Sequence, residues 1–134
     1  MSDPFDWVAA RSECSVFNVF VKLKAEIEAD IKARNAQLQA VEKPRVISLV
    51  VTSVVSFAVT LTGNGIPHRT VSFSLIGEVI VFRDDQKDVS IAATLTLNDK
   101  GECRLKIGND ERESWQFRRT TLENLFWHAG EEGS

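Results

Sequence analysis

The sequence has few of the residue types on which most catalytic and metal sites depend. Its 134 residues include two cysteines, two histidines and no tyrosine. None of the sequences GxSxG, HExxH and CxxC occurs, and no phosphate-binding P-loop does either. These absences exclude the serine hydrolases, zinc proteases, thiol oxidoreductases and nucleotide-binding proteins that carry those motifs. We therefore predict no catalytic residue, no metal site and no cofactor, and we lean against an enzyme.

The chain also lacks a large excess of charge of one sign. Its 16 lysine and arginine residues stand against 19 aspartate and glutamate residues, which gives a formal charge of −3. A domain that binds nucleic acid or an anionic membrane through its electrostatic field normally carries a clear positive excess. Nucleic acid and membranes are therefore not expected partners.

Long hydrophobic runs are missing as well. The most apolar stretch, 46–61, is interrupted by serine and threonine and falls short of the ~20 residues of a membrane helix. The chain starts Met-Ser-Asp-Pro-Phe-Asp-Trp, with acid where a secretory signal has basic residues. The cysteines, Cys14 and Cys103, fall on a predicted helix and a predicted strand, which is typical of free cytosolic thiols rather than of a disulfide scaffold. We expect a cytoplasmic protein.

What the chain does have is a change of hydrophobic period at Pro44. Before it, apolar residues recur three, four or seven apart and form one stripe of a long amphipathic helix: Val16, Phe20, Leu23, Ile27, Ile31, Leu38 and Val41. Because Pro44 disfavours helical geometry at the residue before it, the helix should end near Val41 or Glu42. A short helix capped by Ser2 or Asp3 and reaching about Ala10 precedes it. The helical segment is thus 1–42 of a single domain, 1–134.

After Pro44, apolar and polar residues alternate, which is the pattern of strands with one buried face. The alternating segments predict a five-stranded antiparallel meander over 45–118, with its last strand at Trp115 and Phe117. Thr120 stands three residues before Glu123, a capping-box spacing, so a short C-terminal helix should follow over 120–130. The predicted fold class is α+β: a long N-terminal helix, a curved sheet and a short helix.

The first two predicted strands form a hairpin that raises two problems. One is its length, and the other is which face of the sheet its apolar side chains occupy. A straight strand over 45–62 would run roughly 55 to 60 Å, whereas a compact chain of this size spans about 35 to 40 Å. The strand must therefore bend, break near Ser53 or extend beyond one globule. Apolar residues also occupy the nominally outer face of this hairpin: Val50, Val54, Ala58, Ile76, Ile80 and Phe82. Either Gly77 marks a bulge that changes the parity, or a helix, the segment around Trp7 or a second copy covers that face.

These features favour a non-catalytic cytoplasmic interaction domain, homodimeric through the second sheet face or an exposed edge strand. One alternative is a small enzyme or apolar-ligand carrier with a pocket between the helix and the curved sheet, where His68 and Cys103 would meet. A second is an adaptor like the secretion chaperones, by analogy of fold alone. The candidate ligand or interface residues are His68, Arg69, Val54, Ile76, Ile80, Phe82, Trp115 and Trp127.

Overall fold

A computed structural model of the chain describes residues 5–39, 45–63 and 68–128, and the structural statements below concern those residues. Two helices precede seven strands, and a third helix follows them. The elements are α1 (Trp7–Glu13), α2 (Val16–Leu38), β1 (Arg45–Ser53), β2 (Ser56–Gly63), β3 (Arg69–Ile76), β4 (Val79–Asp84), β5 (Val89–Leu97), β6 (Cys103–Ile107), β7 (Asp110–Arg112), α3 (Ser114–Glu123) and a π-helical turn (Asn124–His128). All strands lie in one antiparallel sheet in the order of the chain. The α+β fold class is confirmed, and the predicted number of five strands is wrong.

The two N-terminal helices begin at side-chain caps. The Asp6 carboxylate accepts a hydrogen bond from the Ala9 N–H at 3.0 Å, and the Ser15 hydroxyl accepts one from the Asn18 N–H at 3.2 Å. The described part of α2 ends at Leu38, with Gln39 as its C-cap. The caps predicted at residues 2 and 3 and the helix end predicted near residue 41 or 42 lie outside the described residues. The predicted stripe is confirmed, because its described members from Phe20 to Leu38 are buried.

The long first strand is broken into two. β1 and β2 form a tight hairpin whose turn is Val54–Val55, where the Ser53 hydroxyl accepts a hydrogen bond from the Val55 N–H at 3.1 Å. The break near Ser53 was one of three predicted solutions to the length problem. Two valines carry no turn signal, because neither favours the backbone geometry that Gly, Asn or Pro supplies. This turn accounts for one of the two additional strands.

The second predicted strand is broken at Gly77. This residue has a φ of +61° and forms, with Glu78, the turn between β3 and β4. Before this turn the odd-numbered residues face the core, and after it the even-numbered residues do. Ile80 and Phe82 therefore lie on the core face, opposite Leu75 and Phe73. The prediction that Ile80 and Phe82 lie on the outer face is therefore wrong, and the parity changes at a turn rather than at a bulge.

The predicted fifth strand is also wrong. Trp115 and Phe117 belong to α3, and the last strand is the short β7 before it. The N-cap of α3 is Glu113, whose backbone N–H donates to the Gln116 side-chain oxygen at 2.8 Å in a capping box. Thr120 lies inside the helix rather than at its start. A short apolar run fits strand and helix equally well, so the spacing alone could not decide. The predicted end of this helix, 129–130, lies outside the described residues.

One face of the sheet is covered by α2 and α3, and phenylalanine rings fill the space between these layers. The Phe57 ring lies 5.4 Å from Phe20 and 5.1 Å from Phe73, and Phe73 also contacts Phe82 at 5.2 Å and Phe117 at 6.2 Å. Such contacts between ring centroids are typical of aromatic cores. The core therefore joins α2, the first four strands and α3 into one packed unit.

The two cysteines form a disulfide. Cys14, at the junction of α1 and α2, is bonded to Cys103 at the start of β6, with a Cα–Cα distance of 5.5 Å. The prediction of two free thiols is wrong. Because 89 positions separate the two residues, only the tertiary fold brings them together.

Within the described residues, no helix has the length and apolar character needed to cross a bilayer.

Candidate functional site

The structure distributes the eight candidate residues over four places. His68 is exposed immediately before β3, whereas Arg69 is only 6% exposed and forms an ion pair with Asp84, with an N···O distance of 3.0 Å. The Asp84 carboxylate also accepts the backbone N–H groups of Gln86 and Lys87, at 3.2 and 3.3 Å. Arg69 therefore holds the turn between β4 and β5 from inside the protein.

The proposed meeting of His68 and Cys103 at a reactive centre has no chemical basis in this structure. The sulfur of Cys103 is bonded to Cys14, so it offers no thiolate nucleophile. In the described ranges, no three His, Cys, Asp or Glu side chains come together as candidate metal ligands.

Ile80 and Phe82 are buried in the core, whereas Val54 and Ile76 are exposed at adjacent hairpin tips. Val54 is 84% exposed and Ile76 is 63% exposed. The Leu75 N–H donates to the Val55 carbonyl oxygen at 2.7 Å, which joins the two tips. We call these two tips the tip patch; its exposed apolar members are Val54, Val55 and Ile76, together with Val50 and Val51, which lie on opposite faces of β1 just before the turn.

The tip patch adjoins the free edge of β1. This strand pairs with β2 on one side, and no described strand lies on the other. There the Asn35 side chain of α2 binds the backbone of Ile47 twice: its amide donates to the Ile47 oxygen at 2.8 Å, and its oxygen accepts the Ile47 N–H at 2.9 Å. Because backbone groups of a strand alternate in direction, Leu49 and Val51 point theirs toward the same edge, beyond the reach of Asn35. This edge can accept another strand.

A groove of about 650 Å³ runs beside the β1 edge. Its walls are α2 and β1, and its lining residues are Glu28, Ile31, Lys32, Asn35, Ala36, Gln39, Ile47, Ser48, Leu49 and Val51. The groove leaves room for a backbone to approach the strand edge.

Trp115 and Trp127 line a different groove, of about 370 Å³, between α2 and α3 with its π-helical turn. We call it the helical groove. Both indoles are about half-exposed, while Leu122 and Phe126 are buried. The other lining residues are Asp30, Ala33, Arg34, Gln37, Arg118, Arg119 and Glu123.

An ion network fixes the two helices on either side of this groove. The Arg118 guanidinium donates to both carboxylate oxygens of Asp30, at 2.7 and 2.6 Å, and lies 3.7 Å from Glu26. The Ser114 hydroxyl donates to Glu26 at 2.7 Å. One terminal nitrogen of Arg118 makes both bonds to Asp30, and this short charge-assisted contact holds the wall formed by α3 against α2.

Arg34 differs from the other arginines of the groove. Its guanidinium carbon lies 4.4 Å from the ring centroid of Trp127, its Nε–H donates to the Phe126 oxygen at 3.0 Å and a terminal N–H donates to Gln37 at 2.9 Å. Burial, and to a lesser degree the positive charge of Arg45, lower the pKa of Arg34. Among the residues that the structure describes, Arg34 has no carboxylate within ion-pair distance.

Comparison with known proteins places no constraint on the function, because no protein family, curated protein or solved structure matches this chain. The sequence did not identify Asn35 or Arg34 as functional residues. One sign was present, since Arg34 interrupts the apolar stripe of α2, but only the tertiary structure places it beside Trp127.

Proposed function

We propose that the protein is a non-catalytic interaction domain that forms a homodimer by pairing its β1 strand with β1 of a second copy. The observation that supports this most strongly is the free β1 edge beside the exposed tip patch. Unpaired backbone groups next to apolar side chains are the usual template for the addition of a strand.

The position of Asn35 limits the register of such a pair. Because Asn35 already binds the outward backbone groups of Ile47, pairing starts beyond that residue. An antiparallel pair centred on Val50 places Leu49 of each copy opposite Val51 of the other, which gives two hydrogen bonds per pair. Val50 then faces its own counterpart across the two-fold axis, which is the self-complementary contact expected of a symmetric dimer.

The edge is a better candidate than the outer sheet face. Two of the apolar residues expected on that face, Ile80 and Phe82, are buried in the core. Cross-strand pairs along its centre include Ala58 with Ser72 and Val81 with Ala92, while the exposed Val50 of this face lies on the edge strand β1 itself. Small and partly polar side chains offer little apolar area to bury, so the face provides less binding energy than the tip patch.

Light scattering coupled to size-exclusion chromatography tests the dimer. We expect a mass of twice the 15.0 kDa chain at about 50 µM. Val51→Pro removes one outward N–H without removing a bond to β2, and Val50→Lys places two ammonium groups together at the axis. Both variants should be monomeric, while Val89→Lys, which alters an exposed valine on another strand, should remain dimeric. A monomeric wild type, or dimers of both edge variants with unchanged circular dichroism, would refute the proposal.

A client-holding adaptor is the second candidate, and the groove beside β1 is the observation that favours it. An extended peptide could add to Leu49 and Val51 while its side chains enter that groove. A wild-type chain that is monomeric alone and binds a β-forming peptide through the same edge would support the adaptor over the homodimer. Loss of that binding in Val51→Pro would locate it.

We propose a cytoplasmic location on the sequence features alone. The Cys14–Cys103 disulfide is the opposing indication, because such bonds persist mainly in oxidising compartments. Alkylation of thiols in intact cells, before lysis, distinguishes the two. Rapid labelling of both cysteines would support the cytoplasm, and protection of both until a reductant is added would contradict it.

A further inference from the structure

We infer that the helical groove is a binding site for a small organic anion with a planar aromatic body. The site is separate from the β1 edge, and the inference does not depend on the proposed dimer. It rests on the charges that line the groove, on the geometry of Arg34 and Trp127 and on the size of the space between the helices.

Within the part of the chain that the structure describes, the charges that line the groove leave one cation without an acidic partner. Three arginines and two acids line it. Arg118 is paired with Asp30, and Arg119 is paired with Glu123 at 3.3 Å. Arg34 is the third arginine, and within the described ranges it has no acidic partner. A half-buried guanidinium without a counter-ion is stabilised by an anion that approaches it, and the nearby Arg45 increases that attraction.

The hydrogen bonds of Arg34 also leave donors for a ligand. A guanidinium has five N–H groups, and two of those of Arg34 donate to acceptors in the described part of the chain. The hydrogen bond to the Phe126 oxygen gives the Nε–H a structural role. Because that oxygen is neutral, this bond does not require the positive charge of Arg34. The remaining terminal N–H groups match the two oxygens of a carboxylate.

The walls of the groove define the body of the ligand. Trp127 holds the guanidinium on its face, Trp115 is exposed at the same groove, and Leu122 and Phe126 supply buried apolar surface. A volume of about 370 Å³ falls in the range of small-molecule sites. A planar aromatic acid would stack on the indoles and direct its carboxylate to Arg34. A nucleic acid is a poorer match, since the chain is acidic and the other two arginines are already paired.

Isothermal titration calorimetry with 2-naphthoate tests the inference. We expect a Kd of about 1 mM or lower, and binding of the neutral 2-naphthalenemethanol at least about tenfold weaker. Arg34→Gln should weaken naphthoate binding by about tenfold or more, and Arg34→Lys should restore part of it. Arg119→Gln is the matched control, because it removes an exposed cation at the same groove and should change the affinity less than threefold.

The tryptophan indole N–H signals in a two-dimensional ¹H–¹⁵N spectrum locate the ligand. Naphthoate should shift the signals of Trp115 and Trp127, while Trp7 on α1 serves as an internal control and should not move. Circular dichroism and the unshifted Trp7 signal verify that each variant is folded.

Four results of the experiments with ligand would overturn the inference. They are no binding of naphthoate at about 5 mM, equal binding of the acid and the alcohol, an unchanged affinity in folded Arg34→Gln, and a shift of Trp7 without shifts of the other two indoles. Shifts of the Trp115 and Trp127 signals on raising the protein concentration without ligand would assign the groove to a second copy and would also overturn it.

Discussion

The buried ion pair between Arg69 and Asp84 allows a stability prediction that can be worked through from the structure. Removing the carboxylate in Asp84→Ala leaves the Arg69 guanidinium in a nearly closed environment, since the two side chains are only 7% and 8% exposed. Removing one partner of a buried pair costs about 3–5 kcal/mol, because the remaining charge is still desolvated and has lost an ion-pair contact. The same change also removes the acceptor of the Gln86 and Lys87 N–H groups. We expect the free energy of unfolding to fall by about 4 kcal/mol.

The opposite truncation should cost less. In Arg69→Leu the Asp84 carboxylate keeps two backbone N–H donors, so part of its charge remains stabilised. The double variant Arg69→Leu/Asp84→Leu leaves no buried charge at this position, and replacing a whole pair by apolar side chains is often close to neutral. The double variant should therefore be more stable than Asp84→Ala, and the two single effects should not add.

Urea denaturation followed by circular dichroism measures the free energies of unfolding of the wild type, Asp84→Ala, Arg69→Leu, Asp84→Leu and the double variant. The neighbouring pair of Arg83 and Asp85 is the control, because its atoms are 3.5 Å apart but the side chains are 64% and 86% exposed. Asp85→Ala should change the free energy of unfolding by less than about 1 kcal/mol. A loss below about 1 kcal/mol in Asp84→Ala, or additive effects of the two single replacements by leucine (Arg69→Leu and Asp84→Leu) in the double variant, would refute the buried-pair reasoning.

Three further predictions concern the disulfide, the β1 cap and the core. Replacing both Cys14 and Cys103 with alanine removes a cross-link over 89 positions and should lower the free energy of unfolding by about 2–5 kcal/mol. Dithiothreitol should lower the stability of the wild type by the same amount and should leave the stability of the variant unchanged. Asn35→Ala leaves the Ile47 N–H and oxygen without their side-chain partner and should cost about 1–3 kcal/mol by urea denaturation. Phe73→Ala removes the ring that contacts three others and should cost about 3–5 kcal/mol, measured in the same way.

Each of these has a result that contradicts it. Wild-type stability unchanged by dithiothreitol, with both thiols shown to be free by titration, would remove the energetic role of the disulfide. If Asn35→Asp, which keeps the acceptor but lacks the amide donor, is as stable as the wild type, the Ile47 oxygen does not depend on Asn35. A loss below about 1 kcal/mol in Phe73→Ala would contradict its central place in the core.

The sequence predicted α2 well because this helix has a single hydrophobic period over its whole length. A residue on the stripe of α2 is buried wherever the helix packs, so the spacing is sufficient. The strand break at Val54 was hard to place, since odd-numbered residues face the core on both sides of it. The change of parity near Gly77 was visible in the sequence, but the pattern did not distinguish a turn from a bulge. Trp115 and Phe117 show the opposite failure, because two apolar residues in alternation also fit the first turn of a helix.

The candidate site was predictable only in part. Val54, Ile76 and the two tryptophans were among the candidate ligand or interface residues, and the structure places them at the tip patch and the helical groove. Ile80 was misplaced because the parity changes at the turn that precedes it. Arg69 was identified from its position next to His68, but its partner Asp84 lies 15 positions away.

The sequence by itself determined the fold class, the long helix and the antiparallel order of the strands, because these depend on periodicity and on short connections between neighbouring elements. Only the tertiary structure decided that Cys14 bonds to Cys103, that Asn35 covers part of the β1 edge, and that Arg34 stacks on Trp127 without an acidic partner in the described part of the chain. Each of these contacts joins residues that are distant in the chain, and their distances depend on how the helices pack on the sheet. A one-dimensional pattern contains no such distances, so the surfaces that carry the proposed functions could be located only in three dimensions.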